Sequence, residues 1–168
     1  METPKRFELA RWLRTFDENS RRLREMKEVE GREGVWGSAE CLEHLSLTAQ
    51  AYLPGWQTVL ESASVKAGRP YAFWWKWFLQ GMLNPEKLKV KTTANFVPRA
   101  KQSHVVMLEQ YLTERDLVRN VAVQVATGSL GHHTVVSPFA AWMRYPADYS
   151  LDLWLAHEGR HVTQIEGR

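Results

Sequence analysis

Between residues 9 and 26 the apolar side chains Leu9, Leu13, Phe16, Leu23 and Met26 recur at three-, four- and seven-residue steps. Only an α-helix gathers that spacing into one stripe, because a strand would scatter it over both of its faces. A helix with a single apolar stripe must bury it against partners to be stable in water. The pattern predicts a first helix from about Pro4 to Val29, punctuated by Gly31 and Gly34.

Further segments repeat the theme. Ser38 is a good N-cap for a second helix, with Glu40 in the first turn, where the helix dipole favours a carboxylate. That helix carries "AECLEHLSLTAQAYL" and meets Pro54-Gly55, which should kink or end it. Residues 69–97 read as a short aromatic helix, a turn at Asn84-Pro85 and an extended basic linker. Pro98 suits the first position of a third helix, with Val105, Leu108, Tyr111, Leu112 and Val118 facing inward. "VAVQVATGSLGHHTVVSP" fits helix extension and strand equally well and stays unassigned. A last helix, capped by Asp148 or Ser150, runs to about Glu166. Long amphipathic helices without a convincing sheet predict an all-α protein, an antiparallel four-helix bundle spanning residues 1–168 as one domain.

Composition agrees and excludes several classes. With 44% hydrophobic and 24% charged residues the chain reads as globular rather than disordered. Its most apolar stretch, "YAFWWKWFLQGML", is too short for a membrane span and contains Lys76. Eight Trp residues imply a core or cavity built from large planar side chains. Cys41 is the single cysteine, so no internal disulfide can form. Together with a charged N-terminus lacking a secretory apolar run, this predicts a cytoplasmic protein. Net charge is +3, and the signs alternate in "RRLREMKEVEGRE", as on a solvated helix face. No basic stripe interleaved with aromatics appears, so nucleic acid is not an expected partner.

The chemistry lies in the histidines. His157 and His161 are four residues apart on the last helix, which places both rings on one face. Two such imidazoles can converge on one ion with bonds of about 2.0–2.1 Å. Leu153, Trp154 and Gln164 share that face, and the large apolar groups turn it inward. His44 sits in the second helix among Glu40, Cys41, Leu47, Thr48 and Ala51, mostly small groups that leave space beside its ring. In a bundle, facing helices can project ligands into one shared core, so His44, His157 and His161 would supply three neutral nitrogen donors. Three protein ligands leave coordination positions open for water and substrate, the mark of a catalytic metal site.

"HEGRH", residues 157–161, also matches the His-Glu-x-x-His signature of zinc proteases. Such an enzyme usually takes a third ligand downstream, and only "VTQIEGR" follows His161. The match is therefore read as accidental. Glu158, about 100° around the helix from His157, is a surface carboxylate or a general base on this reading. His104 is a core ring or a fourth ligand, His132 and His133 lie on a surface or cavity rim, and Cys41 is a small buried residue or a soft extra ligand.

These residues and their surroundings resemble the DinB/YfiT-like superfamily of metal-dependent bacterial four-helix bundles, over almost the whole chain. "VWGSAECLEHLSLTAQAYL" is similar to the family's second-helix segment, with Trp36, His44 and Leu45 in matching places. "SPFAAWMRYPADYSLDLWLAHEGRHVTQIE" is similar to its closing segment, with Pro138 and Phe139 followed by His157, Arg160, His161 and Gln164 in the familiar order. "ANFVPRAK" is similar to the family's entry to its third helix. Glu158-Gly159 departs from the more usual Asp-Arg. The resemblance implies a three-histidine site for a divalent metal, nickel or zinc, often within a homodimer. It also implies a small-molecule substrate, since some relatives transfer low-molecular-weight thiols such as bacillithiol or mycothiol onto electrophiles.

A dication with three neutral ligands could acidify water toward pKa ~7 or stabilise a thiolate, so hydrolysis and thiol S-transfer both follow from one such site. Glu40, one turn before His44, is the candidate to hold that ring's second nitrogen, and Arg160 and Gln164 are candidates to orient a substrate. The competing expectation is a non-catalytic bundle that binds a metal or small ligand in a stress response.

Overall fold

The computed structural model describes residues 7–61, 92–99 and 102–167. They contain helices α1 (Leu9–Glu25), α2 (Ser38–Glu61), α3 (His104–Thr127) and α4 (Ala147–Glu166) and a hairpin of β1 (Thr134–Val136) and β2 (Arg144–Pro146). A 3-10 turn covers Ala94–Phe96. The aromatic helix and Asn84-Pro85 turn expected from the sequence lie outside the described residues.

In α1 the expected stripe faces the core, with Phe16 and Leu23 buried and Leu9, Leu13 and Met26 packed at its margin. Trp12 and Asn19 are buried on the same face. Backbone geometry turns extended at Met26, so the helix stops short of Val29. Between α1 and α2 the chain passes so close to itself that a Cβ on Gly37 would lie 2.5 Å from the Val29 carbonyl oxygen. Glu40 Oε2 accepts the Gly37 backbone N–H at 2.7 Å, which is the returning half of a capping box at the start of α2.

Pro54 does not end α2, which continues to Glu61. Proline in a helix interior costs about 3 kcal/mol. Beyond it, however, Trp56 and Val59 are buried, each worth roughly 1.5–3 kcal/mol, and the helix must continue to place them in the core. Gly55 serves a different contact, since a Cβ there would stand 3.1 Å from Val135 Cγ1 of β1.

The start of α3 differs from the sequence expectation. Ser103 is the N-cap, its hydroxyl accepting from Val106 N–H, so the helix begins at His104 and Pro98 lies before it. Val105 is 60% exposed, and the inward face runs through Met107, Tyr111, Glu114, Arg115, Val118, Ala122 and Val125. The unassigned segment divides between both readings. Its first half extends α3 to Thr127, a turn follows with Ser129 at φ 56°, and Thr134–Val136 form a strand. Val135 pairs with Tyr145 in the antiparallel hairpin. α4 opens at Ala147, with Pro146 as its cap rather than Asp148 or Ser150.

Side-chain contacts fix the helix directions. Trp12 Nε1 donates to the Leu151 carbonyl, Asn19 to Glu158, and Arg22 to Thr163 and Glu166, so α1 and α4 run parallel. Gln110 donates to Ser46 and Gln50 to Glu114, so α2 and α3 are parallel as well. Trp56 meets Ser150 while His44 meets His157, which makes α2 and α4 antiparallel. The expected four-helix bundle therefore runs up, down, down, up. A parallel pair cannot be joined by a tight turn, and the stretch between Glu61 and His104 supplies the length for that crossover.

The core is aromatic, with Trp12, Tyr52, Trp56, Tyr111, Tyr145 and Trp154 all buried. Polar ends find partners within it: Trp56 Nε1 donates to Ser150 Oγ at 2.6 Å, and the Tyr52 and Tyr145 hydroxyls bond each other at 2.6 Å. Among the described residues no helix is long and apolar enough to cross a membrane.

Candidate metal centre

Because α2 and α4 run antiparallel, the first turns of α2 face the last turns of α4. His44 thereby meets His157 and His161 at the end of the bundle. His157 Nε2 lies 3.3 Å from His44 Nε2 and 3.2 Å from His161 Nε2. One donor atom from each ring falls within 4.8 Å of the others, and these three residues form the only such cluster among the described residues.

Two physical facts bear on what this cluster is for. Donors bound at about 2.0–2.1 Å around a tetrahedral zinc stand roughly 3.3–3.4 Å apart, which matches both close contacts. Secondly, hydrogen bonding within the cluster cannot satisfy it. The Nδ1 of His44 lies 2.7 Å from the Phe96 carbonyl oxygen and donates to it, which leaves Nε2 as a bare lone pair. A single N–H on His157 Nε2 could serve one neighbouring ring, not both. The residues present therefore fit a divalent cation, which all three lone pairs could share.

Electrostatics favour the same protonation state. Burial pushes His44 below the ordinary imidazole value, with Arg160 adding to the shift against the opposing bond from Phe96. His157 is pushed well below that value, first by burial, then by His161, His44 and Arg160. Both rings are thus neutral near pH 7, as metal ligands must be. His157 keeps part of its surface open, whereas His44 and His161 are buried. The Trp36 ring packs 5.2 Å from that of His44, and the Phe96 ring lies tilted, 4.7 Å from that of Phe139.

The remaining sequence candidates fall in different places. The Phe96 carbonyl, not Glu40, holds the second nitrogen of His44, while Glu40 is engaged by Gly37. Arg160 and Gln164 are half-buried on α4. His104 and Cys41 are buried and stand outside the ligand cluster. His133 is buried and His132 exposed, as adjacent residues pointing different ways should be. A cleft of about 410 Å³ at the α1–α2 connection is lined by Glu28, Glu30, Arg32, Glu33 and Glu40, and contains none of the clustered rings.

Glu158 fits neither role that the sequence offered. It is 0% exposed and sits at the centre of a polar network linking α1, α3 and α4. Arg115 binds both its oxygens through Nε and a terminal nitrogen, Tyr111 donates at 2.6 Å and Asn19 at 2.9 Å. Arg115 also donates to Ser20 Oγ and the Phe16 carbonyl, and its guanidinium lies 3.9 Å over the Phe16 ring. Burial, then the Glu158 charge, pushes the Tyr111 hydroxyl well above its ordinary value, so it remains a donor. The signals in sequence were Asn19, Tyr111 and Arg115, polar or amphipathic residues on faces that must be buried.

No protein-family model matches this sequence, and no curated protein matches it. Among solved structures, YfiT from Bacillus subtilis is similar, with a TM-score of 0.60 and 16% identity over 99% of this chain and 89% of that one. YfiT is described as "a probable metal-dependent hydrolase with an unusual four-helix bundle topology". At that identity the likeness establishes the fold alone: this chain is a four-helix bundle with the architecture of YfiT.

Proposed function

We propose that this chain is a metal-dependent enzyme in which His44, His157 and His161 hold one divalent cation, zinc or nickel. It acts on a small molecule, by hydrolysis or by transferring a low-molecular-weight thiol to an electrophile. The observation that carries this reading is the convergence of three imidazoles, with His157 Nε2 3.3 Å from that of His44 and 3.2 Å from that of His161, and burial that keeps His44 and His157 neutral. A dication held by three neutral donors supplies Lewis acidity, which activates a water or a thiol as nucleophile at neutral pH.

The protein's own part is orientation and exclusion. The Phe96 carbonyl fixes the tautomer and angle of the His44 ring. The Trp36 ring packs against that of His44. The partly open edge of His157 is where a small substrate would enter. The single cysteine fits a reducing cytoplasm, and a homodimer is part of the same reading.

Metal analysis of purified protein after exposure to zinc or nickel tests the first step. One ion per chain is expected, and none in His44→Ala, His157→Ala or His161→Ala. Failure of the wild-type chain to bind any divalent ion would remove the enzymatic reading. With metal in place, turnover of activated esters, or of thiols with electrophiles, distinguishes the two reactions. No turnover with either would leave a metal-binding bundle without catalysis.

A further inference from the structure

Among the described residues three arginines are withdrawn from solvent, Arg22, Arg115 and Arg160. Arg22 is paired with Glu166, and Arg115 with Glu158. Arg160 makes no ion pair and no hydrogen bond with any described residue. Yet it sits one helical turn after His157 and directly before His161, and its charge reaches both His44 and His157. A half-buried arginine with no acceptor among the described residues keeps its guanidinium donors available to a ligand.

The charges around it sharpen the point. The three clustered imidazoles bring no negative charge, and the carboxylates adjacent in sequence are already engaged. Glu158 is neutralised by Arg115, Glu43 accepts the Arg99 backbone N–H at 2.9 Å, and Glu40 caps α2. With a dication in place, the site would combine the metal and Arg160 without a described carboxylate to balance them.

We propose that Arg160 is a substrate-binding residue that receives an oxyanion, a carboxylate or phosphate group, on a molecule whose reacting atoms lie at the three-histidine centre. The proposal rests on the metal reading and adds to it the class of substrate. The guanidinium fork suits either group, because two parallel N–H donors match two oxygens. Gln164, one turn further along α4, is placed to add an amide donor to the same anion.

The test uses full-length protein with zinc, and reads metal and anion binding separately. Zinc affinity is measured by chelator competition. Inorganic phosphate and acetate are then titrated into the zinc-loaded protein by calorimetry, with tryptophan fluorescence as a second signal because Trp36 packs on His44. In Arg160→Gln, anion affinity should fall at least tenfold, while zinc affinity should hold or rise, because a like charge has been removed from beside the cation. Arg160→Lys should keep part of the anion affinity. A purely structural arginine would weaken both when lost, so opposite changes are the signature. The relative strength of phosphate and acetate identifies which oxyanion the site prefers. Zinc binding with neither anion bound by the wild-type protein at about 10 mM would overturn the proposal and leave the metal reading standing, as would equal anion affinity in wild type and Arg160→Gln. Absence of zinc binding in the wild-type protein would remove the metal reading first and the anion site with it.

Discussion

The pair Arg115–Glu158 offers the sharpest test of how this bundle is held. Their side chains are 2% and 0% exposed, so neither charge has solvent to fall back on. Arg115→Met fills similar volume but leaves the carboxylate charged in the core. Only Tyr111 and Asn19 would then bind it, two of the present four hydrogen bonds. Stranding one member of a buried ion pair costs about 3–5 kcal/mol. Glu158→Gln should cost a similar amount, leaving the guanidinium with Ser20 Oγ and the Phe16 carbonyl but no counter-charge.

The double variant Arg115→Met/Glu158→Gln should be no worse than either single one, because its second change removes the charge that the first had stranded. Additive costs would total roughly 6–10 kcal/mol, so the expected coupling is at least about 3 kcal/mol. Equilibrium unfolding of metal-free wild type and the three variants in urea, followed by far-UV circular dichroism, measures all four corners. Domains of this kind hold roughly 5–15 kcal/mol, so a single variant should shift the midpoint by a large fraction. Singles below about 1 kcal/mol, or a double that equals their sum, would refute the account of a buried, mutually dependent pair.

Other outcomes follow from the same structure. His44 and His157 have folded values below the ordinary imidazole value of about 6.5, so below that pH the unfolded chain binds more protons. Metal-free protein should therefore lose stability as pH falls from 7.5 to 5.5, by roughly 2 kcal/mol, and a flat profile in urea melts would contradict neutral buried rings. Zinc at a hundred times its dissociation constant should stabilise the fold by about 2.7 kcal/mol, seen as a higher melting temperature absent in His161→Ala. Ser150→Ala leaves the fully buried Trp56 Nε1–H without its acceptor and should cost about 1–3 kcal/mol in the same urea melts, with zinc affinity unchanged. Glu40→Ala removes the contact that starts α2 and should lower stability by about 0.5–2 kcal/mol. A large loss of zinc affinity in that variant would instead give Glu40 a role beside His44.

The apolar stripes made the helices legible, because burial on one face is the condition for a helix to persist. Phe16 and Leu23 of α1, and Tyr111 and Val118 of α3, lie where that periodicity puts them. Boundaries were less legible where a neighbour decides them. Pro54 is a local stop signal overruled by the burial of Trp56 beyond it, and Pro98 is a good first residue for a helix that Ser103 caps instead. Helix direction was not legible, since periodicity is the same whichever way a helix runs. The hydrogen bonds Asn19–Glu158 and Gln50–Glu114 settle it. The histidine cluster could be read because its members lie on facing stripes, and i, i+4 spacing places two of them together by itself. The Phe96 carbonyl could not, because a backbone acceptor distant in sequence leaves no trace in residue type.

The string His-Glu-x-x-His acquires its meaning here from direction rather than spelling. Successive residues on a helix point about 100° apart. His157 therefore faces His44 on α2 while Glu158 faces Arg115 and Tyr111 on α3. In a zinc protease the glutamate must meet the same water as the metal. Here both its oxygens are committed to the core, on a different side of α4 from the imidazoles. That arrangement explains why the two residues belong together. An ion pair buried beneath α4 pins the turn from Glu158 to His161, and a pinned turn holds His157 and His161 against His44. It also commits both Glu158 oxygens, so that carboxylate is not free to act as a general base.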